Sequence, residues 1–256
     1  MRRLLPLFFL AIAAGCTTEP SGSSDMAVRF GVAPEASAAR AGVSGGVSLS
    51  TSRVGEVVLT GSNGTLTITD ISFIVDEFKL ERGSSACDES SGEGGGDGDD
   101  GCATFEAVPG FVRLPLAGDA TVALSEPAPA GTYAALKFET KAARTDELLA
   151  EVRTAFADWP GESSMVVVGS FLPAGSVTPV PFRVYFDAEV KIEESFEPAL
   201  VLVGDAASVT VEADPRLWFV EGGLVTDLSS HDFAATGTVL KFEAKMADGF
   251  TKIELD

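Results

Sequence analysis

The stretch NGTLTITDISFIVDEFKLE, residues 63–81, decides the fold class. Asn63-Gly64 is a turn pair, because both residue types accept the left-handed backbone that tight hairpins need. Behind it run Thr65–Asp70, rich in β-favouring Thr and Ile, and a second pattern, Ile71–Glu81. The second pattern ends with Phe78 and Leu80 alternating with Lys79 and Glu81, the period of two of a half-buried strand. Working outward, strand windows precede it at Met26–Val32, Gly46–Ser50 and Glu56–Thr60. Others follow at Thr104–Val108, Phe111–Leu116, Ala120–Leu124 and Tyr133–Thr140, then at Met165–Phe171, Pro181–Ile192, Leu200–Val203, Ser208–Glu212, Val239–Lys245 and Phe250–Leu255. Pro127 and Pro129 read as a rigid connection, since proline donates nothing to a strand ladder.

One helix window interrupts the strands. Thr145 can cap Asp146–Phe156, Asp146 and Glu147 suit its positive end, and Leu148, Val152 and Phe156 recur on one face. Trp159-Pro160-Gly161 ends it, and the helix is expected to cover an open part of a sheet. Many short strands with Gly/Pro turns predict an all-β protein: one or two antiparallel β-sandwich modules, immunoglobulin- or prealbumin-like, with a short accessory helix. Leu136-Lys137-Phe138-Glu139 is echoed by Leu240-Lys241-Phe242-Glu243, which favours two modules. The expected organisation is residues 1–15, 16–25, a first module over 26–142 with an acidic loop at 88–101, a helix and connection over 143–163, and 164–256 as a second module or a continuation of the first.

The N-terminus carries a different signal. MRRLLPLFFLAIAAGC, residues 1–16, has a positive Arg2-Arg3 start, an apolar run from Leu4 to Ala14 too short for a finished span, and small residues before a cysteine. Ala13-Ala14-Gly15-Cys16 resembles the lipobox of bacterial lipoprotein signal peptides. That resemblance implies cleavage before Cys16, acylation of its sulfur, and a protein anchored by lipid in the bacterial cell envelope. Thr17 in place of an Asp implies the outer membrane, and Thr17–Asp25 reads as a tether. Arg2 and Arg3 are the only charges in residues 1–15, so without them the net charge of −20 becomes −22. Such a chain repels nucleic acid and anionic headgroups, leaving the lipid on Cys16 as the membrane attachment.

Cys87 and Cys102 are expected to pair in an oxidising compartment, closing DESSGEGGGDGDDG between them. Their spacing is not that of a C-x-x-C redox site. Within that loop Asp88, Glu89, Glu93, Asp97, Asp99 and Asp100 are candidate oxygen ligands for calcium. Asp97-Gly98-Asp99-Asp100-Gly101 lacks the ligand order of an EF-hand, and a solvated, self-repelling loop is the simpler expectation.

Around this loop, Leu114-Pro115-Leu116 and Ala130-Gly131-Thr132-Tyr133 resemble a family of bacterial envelope lipoproteins with β-sandwich domains, in which a Pro/Ala-Gly-Thr-Tyr turn precedes a strand. Asp214-Pro215-Arg216-Leu217-Trp218-Phe219 is similar to a D-P-x-x-W-F element of secreted bacterial proteins. These short motifs span much of residues 65–230. The resemblance implies an exported β-rich domain and carries over no catalytic residue.

Trp218 and Phe219 are candidate ligand contacts, with Trp159 or Tyr185 as further rings for stacking a sugar; a core role is the competing expectation. Gly42-Val43-Ser44-Gly45-Gly46 matches the hydrolase G-x-S-x-G formally. Ser44 would need His231, the single histidine, and Asp187 or Asp214, on a strand-to-helix elbow that the surrounding strand pattern does not provide. One histidine also argues against zinc or copper sites. The expected role is structural or protein-binding rather than enzymatic, towards an envelope protein; a glycan- or calcium-binding module is the alternative and a serine hydrolase the remote one.

Overall fold

A computed structural model describes residues 23–33, 48–52, 55–82, 105–203 and 206–255. The quoted stretch forms one strand rather than two. β4 runs over Gly64–Arg82, and two β-bulges set its faces. Its register against its neighbours shifts between Ile68 and Asp70, and again between Val75 and Glu77. Thr69 and Asp76 are the extra residues. Because side chains alternate with a period of two, one added residue moves everything after it to the other face. Leu66 and Ile68 enter the core on even numbers, Ile71, Phe73 and Val75 on odd ones, and Phe78 and Leu80 on even ones again. Without either bulge, part of this apolar series would face outward.

The other strands are β1 (Ser23–Val32), β2 (Ser48–Ser52), β3 (Glu56–Gly61), β5 (Phe105–Ala107), β6 (Gly110–Arg113), β7 (Thr121–Pro129) and β8 (Gly131–Thr140), followed by β9 (Met165–Pro173), β10 (Val180–Asp187), β11 (Val190–Leu202) and β12 (Ala207–Ala213). Short β13 (Val220–Glu221), β14 (Leu224–Val225) and β15 (Leu240–Lys241) precede β16 (Phe250–Leu255). Among the described residues they form a ten-stranded sheet, a four-stranded sheet ordered β16-β12-β1-β7, and the β13-β14 ribbon. Strands from both halves of the chain share both large sheets: β9 pairs with β4, and β12 with β1.

β4 is the hub of the larger sheet. Phe73 pairs with Val112 of β6 and Met165 of β9, whereas Val75 pairs with Gly110 of β6 and Thr140 of β8. The neighbour on one flank therefore changes from β9 to β8 just where Asp76 bulges. The two large sheets meet in one core. Phe30 of β1 lies 5.4 Å, edge-on, from Phe73, and Phe250 of β16 lies 5.2 Å from Phe138 of β8.

The fold is all-β with minor helices, but its sheets are mixed where purely antiparallel ones were expected. β1 with β12 and β10 with β15 pair in parallel; these partners are distant in sequence, so no hairpin forces them antiparallel. Pro127 and Pro129 lie within β7 rather than in a connection. β7 is an edge strand, where a missing N–H costs little. Pro181–Ile192 divides into β10 and β11. The strand expected over Val239–Lys245 is only β15, and a helix over Glu243–Gly249 follows.

Helix α1, Asp146–Ala155, matches its window, with the Thr145 hydroxyl accepting from the Leu148 N–H at 3.2 Å. It covers the outer face of the larger sheet, where Leu148, Val152, Phe156 and Trp159 pack with Ile74, Val166 and Tyr185. Further on lie α2 (Pro215–Phe219), a 3₁₀ turn (Leu228–His231), α3 (Phe233–Thr236) and α4 (Glu243–Gly249).

Candidate functional site

The disulfide expected between Cys87 and Cys102 is corrected: no disulfide is found among the described residues, and both cysteines lie outside them. The strands flanking that segment are already joined through the main chain, with Leu80 of β4 opposite Phe105 of β5, so closing it requires no covalent link. Cys16, Ser44 and the six candidate calcium ligands Asp88, Glu89, Glu93, Asp97, Asp99 and Asp100 also lie outside the described residues. Among the described residues no group of three or more His, Cys, Asp or Glu side chains is placed to hold a metal.

Trp218 and Phe219 are fully buried, leaving neither ring open to a ligand. The D-P-x-x-W-F element is a helix start. Asp214 caps α2, its carboxylate accepting from the Arg216 N–H at 3.0 Å and from the Arg216 guanidinium at 2.8 and 2.6 Å, and Pro215 occupies a first-turn position where its missing N–H is harmless. The Trp218 indole donates to the Met246 carbonyl at 3.1 Å. Trp159 and Tyr185 are buried as well, and Trp159 donates to the Ser163 carbonyl. Of the acids considered as partners for His231, Asp187 holds Lys241 at 2.6 Å and Asp214 holds Arg216. His231 itself is exposed.

Three features emerge that strand patterns alone do not reveal. The first is Asp76, whose side chain is only 3 % exposed and meets the guanidinium of Arg144 at 2.9 Å. Burial pushes its carboxyl above the usual range; Arg144 and Lys141 pull it back, while Glu139 and Glu77 push with the burial. A bulge that turns an acid inward beside an arginine is a recurrent way to re-aim a side chain. The fork around it is tied by one main-chain bond, from the Ile74 N–H to the Ser164 carbonyl at 2.9 Å, and by two buried hydroxyls: Ser164 accepts from the Ala188 N–H at 2.8 Å, and Thr140 donates to the Ala188 carbonyl at 2.6 Å.

The second is a charged outer face across β5, β4, β8 and β11. Lys79 and Lys137 stand directly opposite one another, a repulsive arrangement by itself. Each is answered by two glutamates: Lys79 by Glu77 at 2.6 Å and Glu106 at 3.4 Å, Lys137 by Glu81 and by Glu193 at 3.7 Å. This face is solvated and its charges are mutually satisfied.

The third is a slot of about 680 Å³ between β11 and β16, the terminal strands of the two large sheets. β11 leaves its ladder with β8 after Ser195 and rejoins it at Leu200, so four residues loop out opposite Ala134. Phe196 and Ile253 give the slot apolar wall, and Glu194, Glu197 and Glu254 give it acid. Glu194 stands opposite the buried Leu136, on the inner side of the sheet, yet is exposed. Inward charge at an edge is a device against uncontrolled strand pairing.

Compared with known protein families, curated proteins and solved structures, the chain matches none.

Proposed function

We propose that this is a lipid-anchored protein of the bacterial cell envelope, attached through Cys16 and probing its surroundings with a β-sandwich of immunoglobulin or prealbumin type in a protein-binding, structural role. Support for the sandwich reading comes from the two large sheets, whose aromatic side chains meet edge to face in one core. One observation carries the binding role. The aromatic rings suited to a ligand cleft are buried and the acids suited to a triad are held in ion pairs, while a slot of about 680 Å³ lies open between two sheet edges. Such edges are where extended partners dock. Lipid anchoring is supported by the lipobox-like residues 13–16, and β1, which begins at Ser23, is well suited to carry the tether because it is paired on both flanks by β12 and β7.

The test has two arms in intact cells. Metabolic labelling with a palmitate analogue should mark the protein, and Cys16→Ser should abolish the label and shift the protein to the soluble fraction. Photo-crosslinking side chains placed at Glu81 and Glu193 on the outer face and at Glu197 in the slot should yield a discrete protein adduct from at least one position. An unlabelled protein, or no adduct from any position, would overturn the corresponding half of the reading.

A further inference from the structure

We infer that the slot between β11 and β16 receives an extended segment of a partner protein in which basic side chains alternate with apolar ones, laid along the free edge of β16. This rests on the protein-binding reading above and names the chemistry of the partner. Among the described residues β16 pairs only with β12 and β11 only with β8, so both sheets end at this slot with one flank unpaired. The two edges are not equivalent. The loop-out at 196–199 breaks the line of β11, and Pro198 within it has no N–H to offer. β11 therefore serves as a wall, and the ladder available to an incoming chain is that of β16, which is regular over residues 252–255 and interrupted only by a one-residue bulge at Thr251. Six residues of β16 match a partner segment of about six residues, roughly 20 Å long.

Charge selects the partner. Glu254 is answered by Lys252, but Glu194 and Glu197 form no ion pair among the described residues and both are exposed. They contrast with the satisfied carboxylates of the outer face. In a chain of net charge −20, two unanswered carboxylates on an apolar wall repel an acidic segment and favour lysine or arginine at alternate positions. The intervening residues would contact Phe196 and Ile253. A second copy of this acidic chain is the less complementary occupant.

The test uses the full mature lipoprotein in detergent and the synthetic hexapeptide Lys-Val-Lys-Val-Lys-Val, followed by calorimetry. Binding should be saturable, and about tenfold weaker or worse for the Glu-Val and Lys-Ser counterparts and for a peptide N-methylated on alternate amides. Glu194→Lys with Glu197→Lys should lose at least about tenfold. Glu147→Lys with Glu151→Lys on α1, which changes net charge equally, should retain full affinity. Equal losses in the two double variants would reduce the effect to the general field and overturn the proposal. So would absence of binding, or a dimer of the chain that the slot variant dissociates. Adducts from Glu81 or Glu193 in the presence of a null peptide result would remove this partner assignment while leaving the protein-binding reading intact.

Discussion

Arg144, two residues before helix α1, places a guanidinium nitrogen 2.9 Å from the carboxylate of Asp76, the residue that bulges where β4 exchanges β9 for β8 as its neighbour. The pair is lopsided: the acid is buried, whereas the arginine side chain is 59 % exposed. An exposed guanidinium stays hydrated and screened, so it offsets only part of the desolvation of the acid. This explains why the Asp76 carboxyl rises despite having an ion-pair partner.

A carboxyl whose pKa is raised by folding holds its proton longer in the native state than in the unfolded chain. Its contribution is fully present below the ordinary carboxylate value and is lost as pH rises through the native value. Asp76→Asn should therefore gain on the parent, measured by urea unfolding, as pH is raised from about 4 to about 7. Arg144→Met should cost about 1 kcal/mol at neutral pH and steepen the parent's decline, because it removes the charge that restrains Asp76. A variant-to-parent difference that stays flat with pH would refute this account.

Asp158 behaves in the opposite sense. Burial pushes its carboxyl up, but the Tyr185 hydroxyl, its own backbone N–H and Arg183 together outweigh that and hold it below the usual range. Tyr185 donates to it at 2.7 Å, as does Arg183. A depressed carboxyl stabilises above its unfolded value, and that stability disappears as pH falls through the native one. Tyr185→Phe should cost about 1 kcal/mol at neutral pH, the modest end for a bond to a partly exposed charge. The gap from the parent should narrow in urea titrations taken below about pH 4.

Thr145→Ala removes the side-chain acceptor at the start of α1 and should cost about 1 kcal/mol. Thr145→Ser should recover most of it. Thermal melts of the three proteins compare the two outcomes directly, and equal losses would place the role of Thr145 outside capping.

That cap was legible in the sequence because it is local: Thr145, two acids and an apolar stripe sit within twelve residues. Phe250–Leu255 was legible as a strand for the same reason. β4 was legible as strand but not as one strand, since Thr69 and Asp76 interrupt the alternation that identifies it, and a bulge is defined by the neighbouring strand rather than by its own residues. Pro127 and Pro129 misled because whether proline fits a strand depends on its being an edge, a property of sheet order. Glu243–Gly249 carries the continuation of a strand-like Leu-Lys-Phe pattern, and it turns helical where Met246 packs into the core and its carbonyl receives the Trp218 indole. The slot joins residues more than fifty positions apart, and no spacing within either strand announces it.

Gly249 and Trp218 are constrained by space alone. A Cβ on Gly249 would lie 1.6 Å from the Trp218 indole nitrogen and 2.2 and 2.3 Å from its ring carbons. The indole cannot easily yield, being fully buried, hydrogen-bonded to Met246 and packed edge-on against Phe250 at 5.7 Å. Gly249→Ala should therefore destabilise by about 3 kcal/mol, at the upper end for an overpacked core. If the clash is the cause, the cost belongs to the pair and not to the glycine. In the Trp218→Leu background, where a smaller and more adaptable side chain faces the same position, adding Gly249→Ala should cost at least about 1 kcal/mol less than it does in the parent. Additive losses across the four proteins, measured by urea unfolding, would show instead that the alanine acts through the backbone of α4 and its junction with β16.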